Sequence, residues 1–354
     1  MLYLTLIICF VLSILITPLI KKFALVMGAT DQPSQRKIHQ TIMPRLGGLA
    51  IFISFMVGMI FLRPESPSFV AIMLGCLIIV GTGILDDLFE LSARYKLVGE
   101  LAAAITVVFW GDLQVNFVNL PFGGQLEFGL FSIPITIIWI VGITNAINLI
   151  DGLDGLAAGV SSIALITISG MAILQGNVFV VTVGLILLAS TLGFLFYNFH
   201  PASIFMGDTG ALFLGFSISV LSLLGFKNVT FISFIVPIII LGVPISDTIF
   251  AILRRIINKT PLSAPDKFHL HHCMLRLGFT HRQAVLLIYA LAAFFGLVAV
   301  IYSQARLGGA FFLMAIVILL IELIAEKIGL MGKDFHPLLK IMRNLRSTAI
   351  RNRP

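Results

Sequence analysis

The sequence contains few charged residues. Asp, Glu, Lys and Arg together make up 11% of the 354 residues, whereas a soluble domain contains about 25%. Hydrophobic residues make up 59%, and the mean hydropathy is +1.09. An ordinary water-soluble globule is excluded, because its surface needs more charge than this chain supplies. We therefore expect a membrane protein surrounded mainly by the lipid bilayer, and we expect no nucleic acid partner.

Cysteine is also scarce. The three cysteines, Cys9, Cys76 and Cys273, lie far apart and form no CxxC motif, so no disulfide framework is implied. The first apolar run, residues 2–20, has no basic segment before it and is long enough to cross a bilayer. We therefore interpret this run as a membrane span and not as a cleavable signal peptide.

Long apolar runs account for most of the chain. A run of about 17–25 apolar residues is typical of a transmembrane helix. Such runs occur at residues 2–20, 46–63, 69–85, 95–110, 131–149, 156–175, 178–198, 211–226, 231–253, 284–303 and 309–328. The predicted fold class is all-α, a polytopic integral membrane helical bundle of about 11 transmembrane helices. The predicted organisation is a single transmembrane domain, residues 1–328, followed by a basic cytoplasmic tail, residues 329–354.

The basic residues determine the expected orientation. If the loop at residues 21–45 faces the cytoplasm and the spans alternate, every Lys and Arg except Arg63, Lys227 and Arg306 falls on the cytoplasmic side. Cytoplasmic loops carry the excess of Lys and Arg in multi-pass proteins. We therefore expect an external amino terminus and a cytoplasmic carboxyl terminus.

Polar residues cluster in five segments that this topology places on the cytoplasmic side. The clusters are the Asp86-Asp87 pair and residues 144–156, 198–201, 206–210 and 266–272. The external loops contain only scattered acids. Polar groups gathered at one face from separate loops predict a functional site that the fold assembles.

Two of the acidic clusters have structural as well as functional interpretations. Asp86 and Asp87 end the third apolar run, but acids are unfavourable near the negative carboxyl end of a helix, which favours a function. Asp208 lies in the sequence Met-Gly-Asp-Thr-Gly, a composition that is also typical of a turn. For Asp208 the residues alone support both interpretations equally.

The segment 144–156 contains a regular polar pattern, since Asn145, Asn148, Asp151 and Asp154 recur every three residues. On one continuous helix they would form a single polar stripe with neighbouring side chains about 5–6 Å apart. Asp151 and Asp154 could instead cap the start of the sixth helix. Because an Asp at the centre of a membrane costs about 2.5–3.5 kcal/mol, the pattern favours a functional site.

The histidine-rich segment could bind either a metal or a phosphate. His269, His271 and His272 lie next to a cysteine, which suggests zinc, but the CxxC or HExxH spacing of common zinc sites is absent. Neighbouring cations favour phosphate binding instead. Asp247, inside the ninth run, is expected either to pair with Arg254 or a neighbouring helix, or to serve the site.

Carboxylates and cations together at a membrane face suit a phosphorylated ligand with Mg²⁺. This ion prefers oxygen ligands and shares them with substrate phosphates. Positive charge for those phosphates is available from Arg36, Lys37, His39 and Arg45. A site open to both cytosol and lipid could join a soluble phosphorylated donor to a lipid acceptor.

Five motifs make this interpretation specific. In chain order they are RKIHQTIMPRLGG (36–48), GILDDLFELSARYKLVGE (83–100), TNAINLIDGLDGLAAG (144–159), YNFHPASIFMGDTGALFLG (197–215) and SAPDKFHLHHCMLRLGFTHRQ (263–283). Together they resemble the polyprenyl-phosphate N-acetylhexosamine-1-phosphate transferase family, over nearly the whole chain. The resemblance implies an enzyme that transfers a sugar 1-phosphate from a UDP-sugar to undecaprenyl phosphate and releases UMP. It also implies a location in a bacterial plasma membrane with the active site on the cytoplasmic face.

Within this family the sequence is more similar to the branch that uses UDP-GlcNAc. The His-Leu-His-His motif, the following LRLGFTHRQ, an eleventh span and a basic tail are features of that branch. The alternative, the UDP-MurNAc-pentapeptide phosphotransferase of peptidoglycan synthesis, typically has three consecutive histidines and ten spans. The segment GATDQPSQRKIHQTIMPRLGGLAIF is similar to initiators of wall teichoic acid synthesis, so teichoic acid is the expected downstream polymer.

The resemblance implies roles for individual residues. Asp208 is implied as a ligand of Mg²⁺, with Mn²⁺ as the alternative ion, and Asp151 as a ligand of the metal or the donor. The implied catalytic residues are Asp86, Asp87, Asp151 and Asp154, the first two as base and metal neighbour. The implied substrate-binding residues are Arg36, Lys37, His39, Arg45, Asn148, Asn198, His269, His271 and His272.

Two other protein classes are alternatives. A UbiA-type prenyltransferase would also use Asp-rich motifs and Mg²⁺, but we would expect NDxxD-like motifs in two related halves, and the sequence has neither. A secondary transporter would place its polar groups near the bilayer midplane, whereas these groups lie at one face. The expected partners are UDP-GlcNAc, undecaprenyl phosphate and the bilayer, with a homodimer as an additional arrangement.

Overall fold

The computed structural model describes residues 1–32, 42–120, 124–226, 231–261, 266, 268–330 and 340. Within them the chain is almost entirely helical, which confirms the all-α class of a polytopic membrane protein. The helices are α1 (Leu2–Met27), α2 (Gly47–Leu62), α3 (Phe69–Phe89), α4 (Ala93–Ile105), α5 (Ser132–Ile150), α6 (Leu156–Leu174), α7 (Val178–Asn198), α8 (Gly207–Phe226), α9 (Phe231–Ile240), α10 (Gly242–Ile257), α11 (Leu270–Arg276), α12 (His281–Gln304) and α13 (Leu307–Ile328).

Short elements connect some of these helices. A π-helical turn, Thr106–Trp110, extends α4, and a 3₁₀ turn, Gly129–Phe131, precedes α5. Two antiparallel strand pairs are formed by β1 (Thr30–Asp31) with β2 (Met43–Pro44) and by β3 (Phe117–Asn119) with β4 (Gln125–Glu127). The first pair places the chain before α2 next to the end of α1.

Among the described residues, eight helices are long and apolar enough to cross a membrane: α1, α3, α5, α6, α7, α8, α12 and α13. The other three predicted spans are shorter or divided. α2 has 16 residues and α4 has 13, and the run at 231–253 is divided between α9 and α10 at Leu241. The number of eleven spans, the orientation and the boundary at residue 328 therefore stay predictions.

α3 and α8 meet where the acidic residues lie. α3 continues one turn beyond the predicted end, so Asp86 and Asp87 lie inside its last turn. A methyl group added at Gly83 of α3 would lie 2.4 Å from Thr209 Cα of α8. This glycine therefore allows the two backbones to come into direct contact.

The predicted polar stripe along residues 144–156 is wrong, because α5 ends within it. Asn145 and Asn148 lie on α5, whereas Asp151 is its carboxyl cap and Asp154 belongs to the turn that follows. The amino-terminal cap of α6 is Gly155, whose φ is +76°, so the alternative in which the two acids cap α6 is also wrong. A left-handed glycine separates the helices, and the four polar side chains therefore meet different partners.

α8 lies at the centre of the bundle. In its apolar stretch 83% of the residues are buried, and it packs against α2, α3, α5 and α6. α13 lies at the periphery, where only 11% of the corresponding stretch is buried. Its exposed side chains, such as Phe312 and Ile318, suit contact with lipid. The acidic residues of α3 and α8 thus belong to the packed centre of the fold.

Candidate active site

Asp87 connects the end of α3 to the start of α8. Its Oδ1 accepts a hydrogen bond from the Asp208 N–H at 2.9 Å, and its Oδ2 accepts from the Thr209 N–H at 3.0 Å and the Thr209 hydroxyl at 2.7 Å. N–H groups in the first turn of a helix have no partner within the helix. A methyl group at Gly207 would lie 2.5 Å from Asp87 Oδ2, so the approach requires glycine. Asp87 therefore caps α8 from a neighbouring helix.

Lys96 of α4 lies between two carboxylates. Its Nζ is 3.0 Å from Asp86 Oδ2 and also forms an ion pair with Asp208 Oδ2. Asn148 Nδ2 of α5 donates to the other oxygen of Asp208 at 2.9 Å. All four side chains are at least partly buried. One ammonium group thus serves two carboxylates that would otherwise repel each other in a region of low dielectric.

Glu100 extends this polar group by one helical turn. It is buried and accepts a hydrogen bond from the side chain of Asn145, whose Nδ2 also donates to the Val141 carbonyl at 3.0 Å. Lys96 and Glu100 are absent from the predicted site residues. The sequence does contain a signal for them, since they are two charges four residues apart within an apolar run. Charged residues in a membrane segment usually serve a function.

Asp151 follows α5 directly and lies near the same charges. Burial, together with the negative charges of Asp208 and Asp87, raises the pKa of Asp151 to about 8, although Arg45 partly opposes this effect. Without an additional cation, Asp151 is therefore mostly protonated at neutral pH. A cation bound near Asp208 would favour its ionised form.

Asp154 contacts a different group of side chains from Asp151, although its charge also raises the pKa of Asp151. Its Oδ2 lies 2.7 Å from His200 Nδ1 and 4.0 Å from His281 Nε2, and it accepts a hydrogen bond from the Ala202 N–H at 3.1 Å. The two acids predicted as catalytic partners thus have separate surroundings. His200 and His281 are also absent from the predicted site residues, since no short sequence spacing connects them to Asp154.

Asn198, the last residue of α7, holds two loops together. Its Oδ1 accepts from the Gly155 N–H at 3.1 Å, and its Nδ2 donates to the Ile204 carbonyl at 3.1 Å. The side chain is buried, and both of its polar atoms are bound to backbone. These contacts give Asn198 a positioning role, and direct binding of substrate by Asn198 stays a prediction.

Asp247 of α10 fixes the start of the histidine motif. Its Oδ2 lies 2.8 Å from His269 Nδ1, and its Oδ1 accepts from the Leu270 N–H at 2.8 Å. Both acidic and imidazole side chains are buried. Arg254 binds Asp266 instead, with an Nη2–Oδ2 distance of 2.5 Å. Of the two structural alternatives, pairing of Asp247 with Arg254 is therefore wrong and pairing with a neighbouring helix is confirmed, because His269 is the amino-terminal cap of α11.

His271 lies against the loop that carries Asp151. A methyl group at Gly152 would lie 2.2 Å from His271 Nε2, so glycine allows this contact. Burial, together with the neighbouring His272 and His269, lowers the pKa of His271 to about 3, and burial also lowers the pKa of His272. A neutral imidazole can donate one hydrogen bond and accept another, which suits sugar or phosphate oxygens.

Arg45 is the basic residue of the first motif that lies within the described residues. The pairing of β1 with β2 brings it near Asp31, with an Nη2–Oδ1 distance of 3.4 Å, and its Nη1 is 4.0 Å from Glu90 Oε1. Arg45 also acts electrostatically on Asp151. The other basic residues predicted for this segment lie outside the described residues, namely Arg36, Lys37 and His39.

An apolar cavity of 360 Å³ lies between α5, α8, α9 and α10. It extends along α5 to Ala146, two residues before Asn148. Its walls include Ile138, Trp139, Leu223, Pro237 and Ile249. A cavity with these walls suits a hydrocarbon chain, and none of the described residues that line it belongs to the carboxylate cluster.

The two groups of polar side chains suit different ions. Asp86 and Asp208 offer carboxylate oxygens, which are the ligands that Mg²⁺ prefers. In the part of the chain that the structure describes, the group of imidazole and carboxylate ligands close enough to hold one ion consists of Asp154, His200 and His281. Among the described residues the histidines at residues 269–272 do not form such a group, and phosphate binding there stays a prediction.

Comparison with known proteins gives the family. Residues 69–226 match the sequence model of glycosyl transferase family 4. A protein of Bacillus subtilis (strain 168) named "Probable undecaprenyl-phosphate N-acetylglucosaminyl 1-phosphate transferase" is 50% identical over 346 residues, which cover 96% of each chain. The chain belongs to glycosyl transferase family 4. The matched segment contains Asp86, Asp87, Lys96, Asp151 and Asp208, so the carboxylate cluster lies within it.

More distant relatives carry related names. A decaprenyl-phosphate N-acetylglucosaminephosphotransferase of Mycobacterium tuberculosis (strain ATCC 25618 / H37Rv) is 32% identical over 327 residues, or 82% of this chain and 80% of the relative. An undecaprenyl-phosphate alpha-N-acetylglucosaminyl 1-phosphate transferase of Salmonella typhi is 29% identical over 283 residues, or 78% and 77%. These similarities confirm the predicted resemblance to the polyprenyl-phosphate N-acetylhexosamine-1-phosphate transferases.

Proposed function

We propose that this family 4 member transfers GlcNAc-1-phosphate from UDP-GlcNAc to undecaprenyl phosphate, giving undecaprenyl-pyrophosphate-GlcNAc and UMP. The observation that carries the proposal is the position of Lys96 between Asp86 and Asp208. This cluster offers a cation for phosphates and carboxylates for a divalent ion, and an apolar cavity elsewhere in the bundle offers space for a hydrocarbon chain. The names of the relatives support this donor and acceptor.

The cavity is the proposed site of the acceptor chain. Polyprenyl units in it would lie between α5, α8, α9 and α10. Trp139 Nε1 donates to Ser222 Oγ at 3.1 Å, and the Ser222 hydroxyl donates to the Ser219 carbonyl at 2.7 Å, so these two polar groups of the wall are satisfied within the protein.

Mg²⁺ is the proposed cofactor, with Mn²⁺ as the alternative. The two carboxylates that share Lys96 form an oxygen donor set that fits a hard divalent ion, and Asp151 lies within their field. When bound, the ion would stabilise negative charge on the pyrophosphate. Because the Lys96 ammonium holds the same carboxylates, Lys96 and the ion must share or exchange them.

In the proposed reaction an oxygen of undecaprenyl phosphate attacks the β-phosphorus of UDP-GlcNAc. The new O–P bond forms as the bond from this phosphorus to the bridging oxygen breaks, and UMP leaves with that oxygen. The second pKa of a phosphate monoester is about 6, so the lipid phosphate is already mostly a dianion at neutral pH. Lys96 and Asn148 would therefore orient phosphate oxygens, and a strong general base is barely needed.

We assign Asp87 a positioning role within this reaction. Both of its oxygens accept hydrogen bonds from the start of α8, so Asp87 fixes the place of Asp208. Asp86 has its contact with Lys96 instead. Of the acidic pair, Asp86 is the proposed member that would hold the metal ion.

The histidine motif is the proposed binding surface for donor oxygens. His271 is neutral and lies against Gly152, and His269 is held by Asp247. We place this surface at the cytoplasmic face of a bacterial plasma membrane, because the loops that contain it are the basic ones. The product would begin a cell-wall polymer, for which wall teichoic acid is our proposal.

The decisive experiment is UMP release by the purified chain in detergent. We expect release from UDP-GlcNAc only when undecaprenyl phosphate and Mg²⁺ are present. UDP-MurNAc-pentapeptide in place of UDP-GlcNAc distinguishes the peptidoglycan enzyme, and pyrophosphate release from a prenyl diphosphate distinguishes a UbiA-type enzyme. Activity with either alternative and none with UDP-GlcNAc would disprove the proposal.

A further inference from the structure

Two histidines and one aspartate meet outside the Lys96 cluster. They come from the turn before α6, the loop before α8 and the first residue of α12. His200 Nδ1 lies 2.7 Å from Asp154 Oδ2, and His281 Nε2 lies 4.0 Å from the same oxygen. One ligand atom from each residue lies within 4.8 Å of the other two.

His281 has an unsatisfied ring. Both of its nitrogens are buried and make no hydrogen bond of normal geometry to a described residue, although the backbone and the carboxylate of Asp154 lie close to the ring. The His200 ring stacks on it, with centroids 4.1 Å apart and planes at 20°, but stacking leaves the nitrogens unpaired. Buried polar atoms without a partner are rare in folded proteins, so this ring indicates a bound species.

We propose that Asp154, His200 and His281 bind a divalent ion of the zinc class. Two imidazoles and one carboxylate are a common ligand set for Zn²⁺ when a fourth position stays open to water. Each ligand atom must come to about 2.0–2.2 Å from the ion, so the 2.7 Å contact between His200 and Asp154 must open while His281 moves closer. Imidazole ligands disfavour Mg²⁺, so this site differs from the proposed magnesium site.

Other contacts already hold the ligands in place. The Ala202 N–H donates to Asp154 Oδ2 at 3.1 Å. The Arg282 guanidinium donates to the His200 carbonyl, with Nη2 at 3.1 Å and Nε at 3.3 Å. Such supporting contacts orient metal ligands. An ion here would connect three segments that are distant in the sequence and would stabilise the loop that carries Asp154.

The test is zinc binding by the full chain, purified in detergent and stripped with a chelator. Millimolar Mg²⁺ is kept present so that sites made only of oxygen ligands are occupied. Bound zinc is measured by elemental mass spectrometry after equilibrium dialysis, and Co²⁺ replaces it for visible absorption spectra. We expect about one zinc per chain, a Co²⁺ spectrum with imidazole ligands, and a higher temperature of unfolding with zinc.

The variants His200→Gln and His281→Gln should each weaken zinc binding at least about tenfold and remove the zinc-dependent rise in unfolding temperature. His272→Gln is the matched control, because this histidine lies in the other histidine group, and it should bind zinc as wild type does. Elution of each variant as a single species in size-exclusion chromatography without zinc shows that it is folded. The Co²⁺ spectrum of the wild type tests for imidazole ligands without any variant.

Equal zinc affinity in wild type and His281→Gln, or no zinc bound at micromolar concentration, would overturn the proposal. Loss of zinc in His272→Gln alone would place the ion at residues 269–272 and would also overturn it. If His281→Gln weakens UMP binding in a chain that binds no zinc, the unsatisfied ring faces the nucleotide instead. None of these outcomes depends on transferase activity, so the proposed function is tested separately.

Discussion

Thr209 donates both its backbone N–H and its hydroxyl to Asp87 Oδ2, at 3.0 and 2.7 Å. These residues are separated by 122 positions in the chain, and Thr209 is adjacent to Asp208. The family resemblance implies Asp87 as a base, but in the structure Asp87 holds the start of α8, which carries the proposed metal ligand Asp208. Its main effect on the reaction should be geometric.

Replacing Asp87 with Asn should lower both stability and turnover at every pH. The amide places an NH₂ group against donors of α8, and losing a helix cap costs about 0.5–2 kcal/mol. We expect turnover to fall by about tenfold or more through displacement of Asp208. The measurement is a pH–rate series at saturating Mg²⁺, together with thermal unfolding.

Thr209→Ser is the control for this variant, because serine keeps both donors to Asp87, and it should behave nearly as wild type. A deficit of Asp87→Asn that persists as the pH rises agrees with positioning. Full recovery of its rate well above the phosphate pKa, near 6, would identify Asp87 as a general base and contradict our assignment.

Lys96→Met should reduce turnover by about 100-fold, because the substrate phosphates lose a cation that the site places for them. The same change leaves Asp86 and Asp208 without their shared ammonium, so Mn²⁺ should bind at least as tightly as in wild type. UMP release measures the first effect, and electron paramagnetic resonance of free Mn²⁺ measures the second. Lys96→Arg is the control that keeps the charge. Weaker Mn²⁺ binding with unchanged turnover would show that Lys96 supports the site without contacting phosphates.

The positions of the helices could be predicted from the sequence because apolar runs are long and the bilayer limits the alternatives. α5, α6, α7 and α13 begin and end within two residues of the predicted runs. The end of α3 could not be predicted from hydropathy. Asp86 and Asp87 end the apolar run, whereas the helix continues through them to Phe89.

The polar contacts could be predicted only in part. A spacing of three residues indicates one helical face, but the left-handed Gly155 ends that pattern and sends Asp151 and Asp154 to different partners. Lys96 meets an acid that lies 112 residues away, and sequence spacing contains no signal for such a contact. Asp247 and His269 are 22 residues apart, so sequence spacing does not predict their pairing either.

The raised pKa of Asp151 predicts a stability that depends on pH when divalent ions are absent. Its pKa of about 8 lies above the ordinary value of 3.8, so the folded chain holds this proton more tightly than the unfolded chain. The contribution to stability is complete below pH 3.8 and is lost as the pH rises through 8.

In EDTA, the unfolding temperature of the wild type should therefore fall between about pH 5 and pH 9 more steeply than that of Asp151→Asn. Mg²⁺ should reduce the difference, because a bound cation favours the ionised carboxylate. Differential scanning fluorimetry in one detergent measures both slopes. Parallel curves for the two proteins would show that Asp151 does not titrate in this range.

The distribution of basic residues predicts the topology. A tag placed after Pro354 should be accessible only from the cytoplasm, and a tag before Leu2 only from outside, because nearly all Lys and Arg fall on one side of an eleven-span arrangement. Labelling of intact cells by a reagent that does not cross the membrane, with permeabilised cells as control, measures this. Two tags on the same side would require an even number of spans.

Asp247→Asn should raise the KM for UDP-GlcNAc by about tenfold while changing kcat less, because the amide orients His269 less firmly than the carboxylate does. The expectation follows from the 2.8 Å contact between Asp247 Oδ2 and His269 Nδ1. Ser246→Ala is the matched control, since the adjacent hydroxyl donates to the Val243 carbonyl at 3.1 Å, and its kinetics should resemble wild type.

A double-mutant cycle with His269→Gln separates positioning from a general loss of structure. If Asp247 acts through His269, the double variant should be no worse than His269→Gln alone, because the interaction is already removed. Thermal unfolding of all four proteins shows whether the fold is retained. Additive losses in the double variant would mean that Asp247 supports α10 and α11 independently of His269, and its role at the histidine motif would then be structural.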